Sequence, residues 1–143
     1  MICYLDSSFL VSLYVDDIHS NKAMRALEND SPDLLISWMS QLEVTSAIRQ
    51  LVFRNTISDL MAEIGLLHFG WDIAANVYTT KAVSEDVFQA AGKLADIHTS
   101  ALGPRTYDVL HVAAALHYRA DAFWTFDDRQ AKLAKAVGLK LLF

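Results

Sequence analysis

Punctuation is sparse in this chain: one cysteine, two prolines and five glycines in 143 residues. A lone Cys3 cannot close an internal disulfide. Inside Ile2-Cys3-Tyr4-Leu5 it reads as a small buried hydrophobe, and an unpaired thiol suits a reducing compartment. With prolines only at 32 and 104, no proline-rich linker, repeat or low-complexity segment divides the chain. No stretch approaches the ~20 continuous apolar residues of a membrane span. Residues 1–5 lack the basic-then-apolar order of a secretion signal. These absences predict a soluble, cytoplasmic protein with no membrane partner. Positive charge is scarce too: 12 Lys and Arg stand against 17 Asp and Glu, a formal net charge of −5. That balance counts against nucleic-acid binding through basic side chains alone. It leaves room for an enzyme that reaches phosphate through cations held on clustered carboxylates.

What the chain does have is apolar material. Hydrophobic residues make up 53% and charged residues 20%, enough for one packed domain over 1–143. Residues 2–5 are an apolar run too short for a helix and are expected as a buried strand. Helices over 7–14 and 18–28, a turn at Asn29-Asp30-Ser31-Pro32 and a strand at 34–37 follow. Val44, Ala47, Ile48, Leu51 and Val52 recur at helical spacing within 41–54. Helices are expected over 58–68 and 84–98, the second capped by Ser84, with a short strand at 76–79 between them. Gly103-Pro104 breaks the chain, and 106–119 is a helix apolar nearly all round, the pattern of a central, buried helix. A strand at 122–125, a helix over 127–137 stopped by Gly138 and a strand at 139–143 complete the order. Short apolar strands alternating with helices imply an α/β fold. It has three layers, α/β/α, around a parallel sheet of four or five strands. Trp38, Phe53, Phe69 and Trp71 are expected mainly in the core.

In an open parallel sheet, sites form beyond the carboxyl ends of the strands. Asp6 directly follows the first strand, and Thr125 and Asp127 follow the strand at 122. Glu43 lies in the first turns of the helix after the second strand, and Asp108 in the first turn of the buried helix. Glu43 precedes Ala47 and Leu51 by four and eight residues, so it sits on or beside an apolar stripe. Asp108 stands in the same relation to Val112 and Leu116. A carboxylate facing a core is costly unless a cation or an arginine compensates it. A carboxylate set without paired His or Cys suits Mg²⁺ or Mn²⁺ better than Zn²⁺. His111 is near Asp108 but has no second histidine one turn away, which argues against a zinc role. Structural duties compete with this reading. Asp6 and Asp127 precede helices as N-caps do, Asp108 complements a helix dipole, and Glu43 has Arg49 and Arg105 as possible ion-pair partners.

Tyr4-Leu5-Asp6-Ser7-Ser8-Phe9-Leu10-Val11 resembles the opening of PIN domains. Gln41 to Ala47, Tyr107 to Leu116 and Thr125-Phe126-Asp127 with Gly138-Leu139 resemble their later acidic motifs, in order along the whole chain. The length is similar to that of the toxin subunits of VapBC-type toxin–antitoxin pairs. The resemblance implies a Mg²⁺- or Mn²⁺-dependent endoribonuclease with Asp6, Glu43, Asp108 and Asp127 as an acidic, metal-binding quartet. Ser8 and Thr125 would orient carboxylates or water. Asp128 competes with Asp127 for the fourth position, although the Thr-x-Asp pattern favours Asp127. Arg129 and Lys132 stand where they could meet RNA phosphates. The implied partners are an RNA substrate, a cognate antitoxin protein, and a second copy in a homodimer or a hetero-oligomer with the antitoxin. Exposed aromatics could line that interface.

Two other classes fit parts of this pattern. A receiver-like phospho-acceptor domain wants an acidic pair near the first strand and a lysine after the last. Here serines follow Asp6, and Lys140 falls inside the last expected strand. A non-catalytic PIN-like RNA-binding or regulatory module would have less need of all four acids.

Overall fold

The computed structural model describes residues 1–142. Four parallel strands, β1 (Ile2–Leu5), β2 (Asp33–Ser37), β3 (Thr79–Lys81) and β4 (Ala122–Trp124), lie in the order β3-β2-β1-β4. Seven helices accompany them: α1 (Ser7–Tyr14), α2 (Ser20–Asp30), α3 (Trp38–Phe53), α4 (Asp59–Ala74), α5 (Glu85–Leu102), α6 (Thr106–His117) and α7 (Asp128–Ala136). No helix among the described residues is long and apolar enough to cross a membrane.

Side-chain alternation along the strands builds two cores. Cys3, Leu5, Ile36, Ala122 and Trp124 join one with Phe9, Leu10, Val44, Ile48 and Phe69. Tyr4, Leu35 and Phe123 join the other with α5, α6 and α7 residues such as Val87, Leu110, Val112 and Leu133. A strand covered on both faces must be apolar on both, hence the unbroken run at 3–5. Each fully buried Leu or Phe contributes roughly 1.5–3 kcal/mol. Eight consecutive residues of α6, Asp108 to Ala115, are buried.

The three-layer expectation holds, with four strands. The fifth strand expected at 139–143 is reduced to one bridge, Ala122 to Lys140, carried by Phe123 N to Lys140 O (2.8 Å). Gly138 turns the chain with φ 89° just before it, and Phe143 lies outside the described residues. Most boundary differences trace to capping. Helix α2 starts at Ser20, not 18, because Asp17 ties the preceding turn with bonds from His19 N (2.7 Å) and Ser20 Oγ (3.2 Å). Helix α3 starts early because Ser37 and Ser40 form a reciprocal capping box. Helix α5 continues to Leu102, where left-handed Gly103 ends it. Strand β3 begins after 76–79 was expected to, since the amides of 75–77 turn back onto α4 carbonyls.

The expected aromatic core is partly wrong. Phe69 is buried, but Trp38 (61%), Phe53 (87%) and Trp71 (58%) are exposed. They share a surface character with Leu60, Met61, Ile64 and Leu67 of α4, whose apolar residues exceed what its one buried face requires.

Candidate active site

Parallel pairing of β1 with β2 and β4 brings their carboxyl ends to one edge. Asp6 leaves β1 there and becomes the N-cap of α1. Its Oδ1 accepts from Phe9 N (3.0 Å) and from Ser8 Oγ (2.8 Å). Asp127 leaves the β4 side and caps α7, its Oδ1 accepting from Gln130 N (2.9 Å). Asp108 accepts from Arg105 N at the start of α6 through Oδ2 (2.9 Å). The capping duties foreseen for these three residues are therefore all present. Each uses one carboxylate oxygen and aims the residue at the same edge.

A continuous run of contacts links the acids. Ser8 Oγ touches both Asp6 Oδ1 and Thr125 Oγ1 (3.2 Å), and Thr125 Oγ1 accepts from Asp127 N (3.0 Å). Asp127 Oδ2 meets Arg105 Nη2 at 3.8 Å, and Arg105 Nε stands 3.6 Å from Asp108 Oδ2. Glu43 joins from α3, its Oε2 accepting from Ser7 Oγ (2.9 Å) and its Oε1 bonded to His111 Nε2 (2.5 Å). Asp128 is exposed in the first turn of α7, so Asp127 is the member of the pair that faces the other acids. Arg129 and Lys132 are exposed on α7.

Two residues were undervalued from sequence. His111 is buried and bridges Glu43 to Tyr4, whose hydroxyl lies 2.7 Å from Nδ1 and 2.9 Å from Ser37 Oγ. It is Glu43's partner, whereas Arg49 pairs with Glu63 (2.6 Å) and Asp59 (3.9 Å). Gln130, also buried, takes the Thr125 hydroxyl on its Oε1 (3.0 Å) and so fixes Thr125 from below. The one sequence signal for either was a polar residue inside an apolar helical face.

Electrostatics separates the acids. Burial pushes the Asp6 carboxyl above its ordinary range, and the bonds from Phe9 and Ser8 and the proximity of His111 only partly oppose it. Burial also acts on Glu43, but there the bond to His111, its charge, Ser7 and Arg105 outweigh it and hold the carboxyl below its usual value.

The donor set fits a hard divalent cation. The four acids offer only oxygen donors, and the bonds just described leave Asp6 Oδ2 and Asp108 Oδ1 uncommitted. No three His, Cys, Asp or Glu among the described residues form a ready-made metal cluster. A cation here would rest on one or two carboxylates and water, which is the habit of Mg²⁺ and not of structural Zn²⁺.

This is a three-layer parallel α/β domain whose candidate site lies at the carboxyl edge of the strands, where open parallel sheets place theirs. Its family follows from comparison: the PIN domain model matches residues 3–136, and the chain belongs to the PIN domain family. A search of curated protein sequences finds no significant match. Among solved structures, the chain is similar to Mycobacterium tuberculosis VapC20, described as a sarcin–ricin loop cleaving toxin. The TM-score is 0.71 at 18% identity, over 96% of this chain and 95% of that one. It is also similar to a chain of a toxin–antitoxin complex from Klebsiella pneumoniae (TM-score 0.69, 16% identity, 99% and 98% covered). A third is a chain of VapBC2 from Rickettsia felis bound to a DNA fragment from its promoter (0.69, 17%, 99% and 97%). At these identities the likeness is one of fold.

Proposed function

We infer that this chain is a Mg²⁺- or Mn²⁺-dependent endoribonuclease acting as the toxin of a toxin–antitoxin pair. The observation that carries the reading is the pair of uncommitted oxygens, Asp6 Oδ2 and Asp108 Oδ1, on buried acids at the strand edge of a PIN domain. The toxin structures that share its fold over nearly their whole length support the biological setting.

Asp6 and Asp108 are the residues that would hold the ion, with Glu43 and Asp127 completing one or two sites. A bound divalent ion would lower the pKa of a water, orient it for in-line attack and offset the charge of the phosphate. The chain's own part is positional. Ser8 and Thr125 fix the Asp6 carboxylate, and Ser7 and His111 fix Glu43 from both sides. Arg105, between Asp108 and Asp127, supplies a fixed positive charge near the site where phosphate would arrive. The exposed Trp38, Phe53, Trp71 and the α4 apolar residues suit burial by an antitoxin segment or a second copy.

The test is incubation of the purified, partner-free chain with a mixed RNA pool in Mg²⁺, Mn²⁺ or EDTA, beside Asp6→Asn. Metal-dependent cleavage lost in the variant is the expected result. A folded wild-type chain that neither cleaves RNA nor takes up Mn²⁺ by calorimetry would make it a non-catalytic module.

A further inference from the structure

A groove of about 380 Å³ runs from the acidic edge between α1, α3 and the β4–α7 connection. Its lining includes Asp127 from the acidic edge, Asp17 and His19 from the segment after α1, Phe126 from the segment after β4, and Gln50 and Arg54 from the α3 end. The volume lies in the range of small-ligand sites. Its aromatic side is a ring stack. The His19 ring lies on Phe126 with centroids 4.2 Å apart and planes within 7°, and Phe126 is backed by Phe9 at 5.5 Å and 14°.

This stack is tied to the acids. Phe126 N donates to Ser8 Oγ (2.9 Å), which itself donates to Asp6 Oδ1. His19 is set by its own backbone, whose N–H donates to Asp17 Oδ1 (2.7 Å). At the α3 end, Arg54 Nη2 donates to Gln50 Oε1 (3.1 Å), which leaves further guanidinium and amide N–H groups as donors. Arg54 is the one lysine or arginine among the described residues lining the groove, in a chain of net charge −5.

We propose that this groove is a nucleotide subsite: the base next to the scissile phosphate stacks on the His19–Phe126 pair, while Gln50 and Arg54 contact its edge or the adjoining phosphate. The proposal rests on the ribonuclease reading and names where that enzyme takes hold of single-stranded RNA. Unstacked bases are recognised by aromatic or imidazole faces and by donors on their edges, and this lining supplies both beside the acids. The order of the stack matters. Buried Phe9 anchors it, and half-buried His19 ends it at the groove. A peptide would not need a parallel ring stack linked through the Phe126 backbone and Ser8 to the Asp6 carboxylate.

Two measurements test this. The first is steady-state cleavage of a random-sequence single-stranded RNA by wild type, His19→Ala, Arg54→Ala and, as a distant control on α6, His117→Ala. His19→Ala is expected to raise KM about ten-fold, the scale of one lost base stack, and to flatten the base preference beside the cut. Arg54→Ala should raise KM by a smaller factor, and His117→Ala should change neither. The second needs no cleavage: the imidazole proton resonances of wild type are followed as a mixed-sequence RNA octamer is added in EDTA. His19 should shift with the ring current of a stacked base while His117 stays put. The inference is overturned if His19→Ala leaves KM and base preference within two-fold, or if RNA leaves the His19 resonances in place. A wild type that cleaves nothing defeats the ribonuclease reading, while the His19 resonances still decide whether a base binds there.

Discussion

Two polar clusters sit beside the cores, and they differ in how they end. On the α1–α4 flank, the Tyr14 hydroxyl bonds both Asp72 and the Tyr78 hydroxyl. That cluster closes on itself, and burial pushes the Tyr78 hydroxyl up to about 12. At the strand edge, Asp6, Asp108 and Asp127 each give one oxygen to a helix start, the second oxygen of Asp127 faces Arg105, and Glu43 has both oxygens bonded. The first cluster consists of bonds among its own three side chains. The second is organised around acceptors that the protein itself does not use. Asp72 is partly exposed to water, whereas Asp6 and Asp108 are buried, where polar groups are normally satisfied, and that is the ground for proposing a cation there.

The largest expected effect separates the two clusters by activity. Asp6→Asn and Asp108→Asn should each lower metal-dependent RNA cleavage by about 10³-fold or more, on the scale of losing a catalytic metal's contribution. Asp72→Asn should leave the rate within two-fold. Fluorogenic cleavage assays at equal folded concentration read both, and equal losses in all three variants would erase the distinction.

The next effect is on stability and falls on the closed cluster. Gly65 of α4 lies so close to α1 that an added Cβ would stand 2.6 Å from Tyr14 O. Gly65→Ala should therefore destabilise the domain by about 1–3 kcal/mol, and Tyr14→Phe by about 1–3 kcal/mol through the unpartnered Asp72 and Tyr78 it leaves. Urea unfolding measures both. Neither should alter the metal dependence of cleavage.

A third effect has opposite signs for function and stability. The Asp6 carboxyl is raised, so its ionised form opposes folding, and the cost appears as pH rises through that raised value. At neutral pH without metal, Asp6→Asn should raise the melting temperature while removing activity. Asn keeps the N-cap. Mg²⁺ should raise the wild-type melting temperature and leave the variant unchanged. A drop in the variant would mean the Asp6 charge is already balanced.

The smallest effect concerns Glu43. Its carboxyl is lowered, so it contributes stability above its unfolded pKa of about 4.3, and that contribution is lost as pH falls through the folded value. His111→Leu should weaken this acid dependence of unfolding and His111→Gln should keep part of it, as read from melting between acid and neutral pH.

Much of this frame was legible in the sequence because local signals carry it. The run at 3–5 declares a strand buried on both faces. Asp6, Ser84 and Asp127 announce helix starts, and the polar residues inside α6 flag the edge. What escaped depends on pairs far apart. His111 looked like a poor zinc ligand because no histidine follows at helical spacing, yet its partners are Tyr4, 107 positions away, and Glu43, 68 away. Phe53 of α3 and Trp71 of α4 are large aromatics, a residue type expected mainly in the core. Nothing local distinguishes an apolar face turned to its own domain from one turned to another molecule, so Trp71 and Phe53 were placed inside. The fifth strand failed because backbone hydrogen bonding at 139–142 ends after one bridge, which hydropathy does not report.

The strand order also sets a timetable. β1 is made first, yet its neighbour β4 begins 120 residues later, and the Asp127 carboxylate follows beyond that. At roughly 5–20 residues per second of synthesis, the first acid waits on the order of ten seconds for the last. Until then the acidic edge lacks its last member. If the four acids cut RNA as a set, that capacity arrives only when residue 127 has joined the fold.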